Sequence, residues 1–131
     1  MNTPIRTALA LALIGASALA QAQSGAVLSE RNVSLALANQ IASATVAACS
    51  ASGYAVTATV VDRAGNVRAV QRADNAGPHT LEASRLKAYT SASARNTTLA
   101  MMEASQKNPA AANLKDIPGY LLLGGGVPVR A

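Results

Sequence analysis

Apolar positions recur along this chain first as an unbroken run, then at helical spacing, then in alternation. Residues 8–14 (ALALALI) are continuously apolar. That run is too short to cross a bilayer, which needs roughly 20 such residues. Further on, Val33, Leu37, Ile41, Ala44 and Ala48 fall at steps of three and four. They predict a helix over residues 29–52, capped by Ser29 and turning those five side chains inward. Gly53 follows, where a left-handed residue closes a helix. The period then drops to two: Val56, Ala58 and Val60 alternate with Thr57, Thr59 and Val61. This strand, the turn Asp62-Arg63-Ala64-Gly65-Asn66 and a returning strand from Val67 predict a hairpin.

The second half repeats the helical period with smaller residues. After a loop of turn formers, residues 73–78, a helix is predicted over residues 81–96, with Thr80 as its N-cap and Glu82 in its first turn. Leu86, Thr90, Ser93 and Ala94 form its narrow inward face. A shorter helix starts at Thr97 or Thr98, carries Met101 and Met102 and stops before Pro109. Residues 108–119 read as irregular, and residues 120–123 (YLLL) as a buried strand before Gly124-Gly125-Gly126. Helices interspersed with an antiparallel hairpin imply an α/β (α+β) domain, not a doubly wound parallel sheet. Its apolar positions are mostly Ala, Leu and Val, so the core is thin, and a homo-oligomer would bury more of it.

The start of the chain reads as an address. Arg6, the short apolar run and the small-residue exits Ala18-Leu19-Ala20 and Ala20-Gln21-Ala22 have the order of a secretory signal peptide over residues 1–22. Cleavage after Ala22 gives a mature chain beginning at Gln23, with no membrane segment and a periplasmic or secreted destination.

Composition works mainly by exclusion. A single Cys rules out an internal disulfide, and a single His rules out two-histidine metal motifs. Cys49 is expected as a small buried hydrophobe on the first helix. The formal charge of +5 is spread along the sequence. No nucleic-acid partner is expected, because such binders gather their charge into a patch and stack bases on aromatic rings. This chain has three Tyr and neither Phe nor Trp. The triple glycine lacks the Gly-Lys-Ser/Thr of a phosphate loop, and no Gly-x-Ser-x-Gly elbow accompanies the lone imidazole. A turn needing freedom in φ explains the glycines. His79 is the residue with a sharp alternative. As a surface residue before a helix it needs no role, whereas its neutral nitrogen could ligate a haem iron or another transition metal. Met101 and Met102 are soft donors that more often fill gaps in a helix face.

Several segments, in order, resemble the GlcG/HbpS-like haem-binding family. They are Leu28-Ser29 opening an Ala-rich helix, residues 60–67 (VVDRAGNV), residues 72–84 (RADNAGPHTLEAS) running into residues 87–90 (KAYT), Ile117-Pro118-Gly119, and residues 121–128 (LLLGGGVP). The resemblance spans the chain from about Val27 onward. It implies a profilin-like two-layer sandwich, an antiparallel sheet packed with helices, assembled into dimers or rings. It also implies haem or a related tetrapyrrole as partner, with contacts from His79, Thr80, Glu82 and Lys87. His79 is then the candidate axial ligand and Thr80 the alternative, with Arg72, Arg85 or Lys87 facing the propionates. An iron site seen in some members would fall at Asp74 and Glu82. Family members continue past the glycine turn with another strand and a C-terminal helix. This sequence ends at Ala131, so a short member or a truncated one is expected, with an open sheet edge. The functions implied are an exported haem module for buffering, transport or sensing, an accessory subunit of an oxidation system without its own ligand, or a haem-degrading enzyme.

Overall fold

The computed structural model describes residues 27–130. The leader segment read over residues 1–22 lies outside the described residues. Residues Asn32–Ala131 form one compact unit. Its elements run α1 (Leu35–Ala51), β1 (Thr57–Val61), β2 (Val67–Arg72), α2 (His79–Ala94) and α3 (Thr98–Lys107), then a 3-10 helix over Pro109–Asp116. This is the α+β mixture of helices with an antiparallel sheet that the alternating periods predict.

α1 starts five residues later than a Ser29 cap implies, because a nearer hydroxyl caps it. Ser34 is extended, and its Oγ accepts the Leu37 N–H at 3.2 Å. Upstream, Asn32 Oδ1 accepts the backbone N–H of Arg63 at 3.2 Å, tying the approach to α1 to the tip of the hairpin. The inward face also differs. Ala38 and Ala42 are fully buried, with Val33, Ile41 and Val46 packed beside them, whereas Leu37, Ala44 and Ala48 face outward. Steps of three and four fix a face but not its rotation, and the small pair at 38 and 42 lets the helix approach the sheet closely. Cys49 is half-buried, not fully buried, and free. Gly53 takes a positive φ of 80° just beyond the helix, as predicted.

β1 and β2 pair antiparallel, Thr57 opposite Arg72 and Val60 opposite Ala69, with an irregularity between Val60 and Val61. Asp62 closes the hairpin. Its Oδ1 accepts the N–H groups of Ala64 and Asn66 at 3.0 and 2.9 Å. These bonds, led by the one from the Asn66 backbone, hold its carboxyl below the ordinary 3.8. Alternate side chains of a strand point to opposite faces. Ala58, Val60 and Ala69 meet α1 in the core, while Thr57 and Thr59 meet α2.

The last third is held by hydroxyls. Residues 120–123 form no strand. Leu121 N–H donates to Thr90 Oγ1 at 2.8 Å, and Leu123 C=O accepts from Thr98 Oγ1 at 2.7 Å. Those partners are side chains, which an apolar run in the sequence does not reveal. Residues 108–119, read as irregular, contain the 3-10 helix, whose cap Asn108 accepts the Ala110 N–H at 3.0 Å. α3 begins after the Thr97 cap, and Met101 is buried on it.

Candidate functional site

The start of α2 carries the site. The helix opens at His79, two residues earlier than predicted, and its N-cap position is Pro78, which offers no side-chain bond. Thr80 is therefore not the cap. It sits inside the first turn, and its hydroxyl donates to Gly77 C=O at 2.6 Å. Four residues on, Ser84 Oγ donates to Leu81 C=O at 3.0 Å. Each hydroxyl also meets one from β1: Thr57 Oγ1 lies 2.7 Å from Thr80 Oγ1, and Thr59 Oγ1 lies 2.7 Å from Ser84 Oγ. A hydroxyl has one hydrogen. Since Thr80 and Ser84 give theirs to helix carbonyls, Thr57 and Thr59 are the donors across the interface. Two residues of strand advance about 6.6 Å and four of helix about 6 Å, so the rungs match in spacing.

This ladder floors a cavity of about 170 Å³. Its polar walls are Thr57, His79, Thr80, Ser84 and Lys87, and its apolar walls Val56, Ala83 and Leu123. Three of the side chains singled out in the sequence, His79, Thr80 and Lys87, thus converge. His79 is exposed, and its ring folds over Gly77, where a Cβ would stand 2.7 Å from Cε1 and 2.9 Å from Nδ1. Gly77 is a site residue the sequence reading did not single out, as are Thr57 and Ser84. The signal for the hydroxyls was present: Thr at alternate strand positions and Thr/Ser four apart on a helix.

Lys87, about two turns further along α2, is half-buried, its Nζ donating to Gly124 C=O at 3.2 Å. The glycine turn that supplies this carbonyl is clasped by Thr98, whose Oγ1 accepts the Gly126 N–H at 2.8 Å, and Gly125 takes φ 119°. The turn thus serves as a fixed support for Lys87.

Glu82 and Asp74 lie elsewhere. Glu82 pairs with Arg85 at 2.7 and 2.9 Å, and that hydrogen-bonded guanidinium lowers its carboxyl below the ordinary value. Asp74 lines a separate open cleft with Tyr54, Ser50 and Arg72. A metal held by both carboxylates would need Glu82 to release Arg85. Among the described residues, no three His, Cys, Asp or Glu side chains gather into a metal-binding group. The Arg72 guanidinium donates to Ala76 C=O. Of Arg72, Arg85 and Lys87, only Lys87 lines the cavity.

Along one helix, α2 brings an accessible imidazole, a hydroxyl oxygen and an ammonium that has no ion-pair partner among the described residues to this cavity. The volume lies below the roughly 300–1,000 Å³ of sites that enclose drug-sized ligands.

Comparison with known proteins places the chain among relatives. A family model described as haem-degrading protein, HbpS-like, matches residues 33–131. The crystal structure of HbpS superposes with a TM-score of 0.77 at 37% identity, covering 84% of this chain and 76% of that one. A double mutant of HbpS from Streptomyces reticuli gives 0.75 at 37% identity, over 84% and 73% of the two chains. The Klebsiella pneumoniae protein ORFY gives 0.75 at 29% identity, over 80% and 74%. No curated protein sequence matches.

Proposed function

Because this chain belongs to the HbpS-like family, we propose that it is an exported haem-binding protein that buffers, carries or senses haem as a homo-oligomer. The observation that carries the reading is the convergence of His79, Thr80 and Lys87 on one cavity at the start of α2. His79 is the first candidate for the iron, since a neutral imidazole nitrogen is a strong ligand and this ring is exposed. Thr80 Oγ1 is the alternative, its hydrogen already directed at Gly77. Lys87 answers a propionate. Haem, when bound, supplies a redox-active iron. A single protein ligand at an open site favours exchange over permanent retention, which suits buffering or sensing better than electron transfer. The leader at residues 1–22 supports export.

The test is a haemin titration followed by absorbance, with His79→Ala in parallel. A saturable Soret band of defined stoichiometry, shifted or lost in the variant, is the expected result. An unchanged band in the variant moves the ligand to Thr80. A featureless, non-saturating rise overturns the reading.

The family description favours a second reading, oxidative haem degradation. Decay of the Soret band with reductant and oxygen, giving a new tetrapyrrole product in the presence of catalase, would support it. Decay that catalase prevents would be coupled oxidation by free peroxide.

A further inference from the structure

Lys87 is the one cation lining the cavity, and nothing among the described residues neutralises it. The ion pairs there are Arg85–Glu82, Lys107–Glu103 and Lys115–Asp116. An ammonium carries three donors, and Gly124 C=O takes one of them. The rest of the wall is selective. Thr80 and Ser84 spend their hydrogens on Gly77 and Leu81, so toward the cavity they present lone pairs, not donors. Such oxygens repel an anion and confine it to the Lys87 end. Val56, Ala83 and Leu123 supply an apolar lining. A phosphate or sulfate favours several converging cationic or backbone N–H donors, whereas this lining has one lysine ammonium, with two hydrogens left beside the one given to Gly124 C=O, and the single ring of His79. A carboxylate with a short alkyl tail matches a single ammonium beside apolar walls, and about 170 Å³ limits it to a few carbons.

The geometry points to a second ligand: a small free monocarboxylate, its carboxylate on Lys87 Nζ and its alkyl group against Val56, Ala83 and Leu123. This site does not require haem. A haem propionate presents the same chemical group, so bound haem and the free acid exclude one another at Lys87.

The test begins with the haem-free protein, titrated with sodium propionate and, separately, with propionamide, and followed by NMR. Saturable shifts confined to Val56, Ala83, Leu123 and their neighbours are expected with propionate and not with the neutral amide. Lys87→Met should weaken binding about tenfold or more, the loss of one charge-assisted hydrogen bond. An equal response to propionamide overturns the proposal without relying on any variant. So do shifts undiminished in Lys87→Met, or non-saturating shifts spread over the exposed Lys107 and Lys115. Saturating haemin is expected to abolish the propionate response; an unchanged response in the haem complex would overturn the shared site. Propionate binding without haemin binding would fault the haem reading alone, and the reverse would fault this one alone.

Discussion

At the scale of single residues, the site depends on what surrounds each donor more than on the donors themselves. His79 keeps its orientation because Gly77 has no side chain. Gly77→Ala would place a methyl group against Cε1 and Nδ1, so the ring must swing away. The expected outcome is a Soret band moved toward that of His79→Ala, with the far-UV spectrum unchanged. A wild-type band in Gly77→Ala would remove His79 from the coordination of iron. Asp62 makes a separate prediction about pH. Its folded carboxyl sits below 3.8 because the hairpin amides bond to its charged form. A depressed carboxyl stabilises the folded state above its unfolded value, and that contribution is lost as pH falls through the lower folded value. The Ala64 and Asn66 amide resonances should therefore hold their positions down to about pH 4 and move only below it, by NMR titration. Movement centred above pH 4 would show that the loop bonds are not formed in solution.

At the scale of elements, hydroxyls do the joining that large apolar side chains do in most small domains. Thr90, Ser91 and Thr98 are the largest fully buried side chains. Thr98 Oγ1 serves both Gly126 N–H and Leu123 C=O. Thr98→Val keeps the shape and strands two polar groups, which should lower the unfolding free energy by about 1–3 kcal/mol in urea titrations. It should also loosen Lys87, whose carbonyl partner belongs to the same turn; a variant as stable as the wild type would mean that water replaces the hydroxyl at no cost. This reliance on hydroxyls explains what the sequence allowed to be read. The hairpin, α1 and α3 were legible because apolar period and turn residues report local geometry. Residues 120–123 were not, since an apolar run looks the same whether its backbone pairs with a strand or with Thr90 and Thr98. Thr80 resembled a cap for a related reason: a hydroxyl near a helix start can accept from the turn ahead or donate to the carbonyl behind, and here it donates. The site was half legible. His79 stood out as the lone imidazole before a helix, and Thr80 and Lys87 were added as ligand contacts by the family resemblance, while Gly77, Thr57 and Ser84 acquire their roles only when α2 is laid on β1.

At the scale of the whole molecule, the described core consists largely of alanine, and the larger apolar side chains are outside it. Ala38, Ala42, Ala58, Val60 and Ala69 form the central cluster, whereas Leu35, Leu37, Val67 and Val70 are each at least 44% exposed. Alanine adds little apolar area, so burial within one copy yields a small share of the stabilisation available to a leucine or valine core. β2 pairs with β1 alone among the described residues, leaving its outer backbone groups free to pair with another chain. Both facts favour self-association through the β2 side of the hairpin. Val70 discriminates between an interface and a merely apolar surface. In an isolated copy its replacement by lysine changes an exposed position, for which an effect within about 0.5 kcal/mol is usual. In an assembly that covers β2, the same lysine would bury an ammonium and also protect the strand edge. Sedimentation should therefore find the wild type as an oligomer and Val70→Lys shifted toward the monomer, with little change in the thermal unfolding of the monomer itself. Equal masses for the two proteins would place the contact elsewhere, with exposed Leu35 and Leu37 of α1 the next positions to charge. If haemin binding weakens in parallel with dissociation, then a neighbouring copy contributes to the haemin site. If binding is unchanged, one chain holds haem alone, and the assembly serves stability alone.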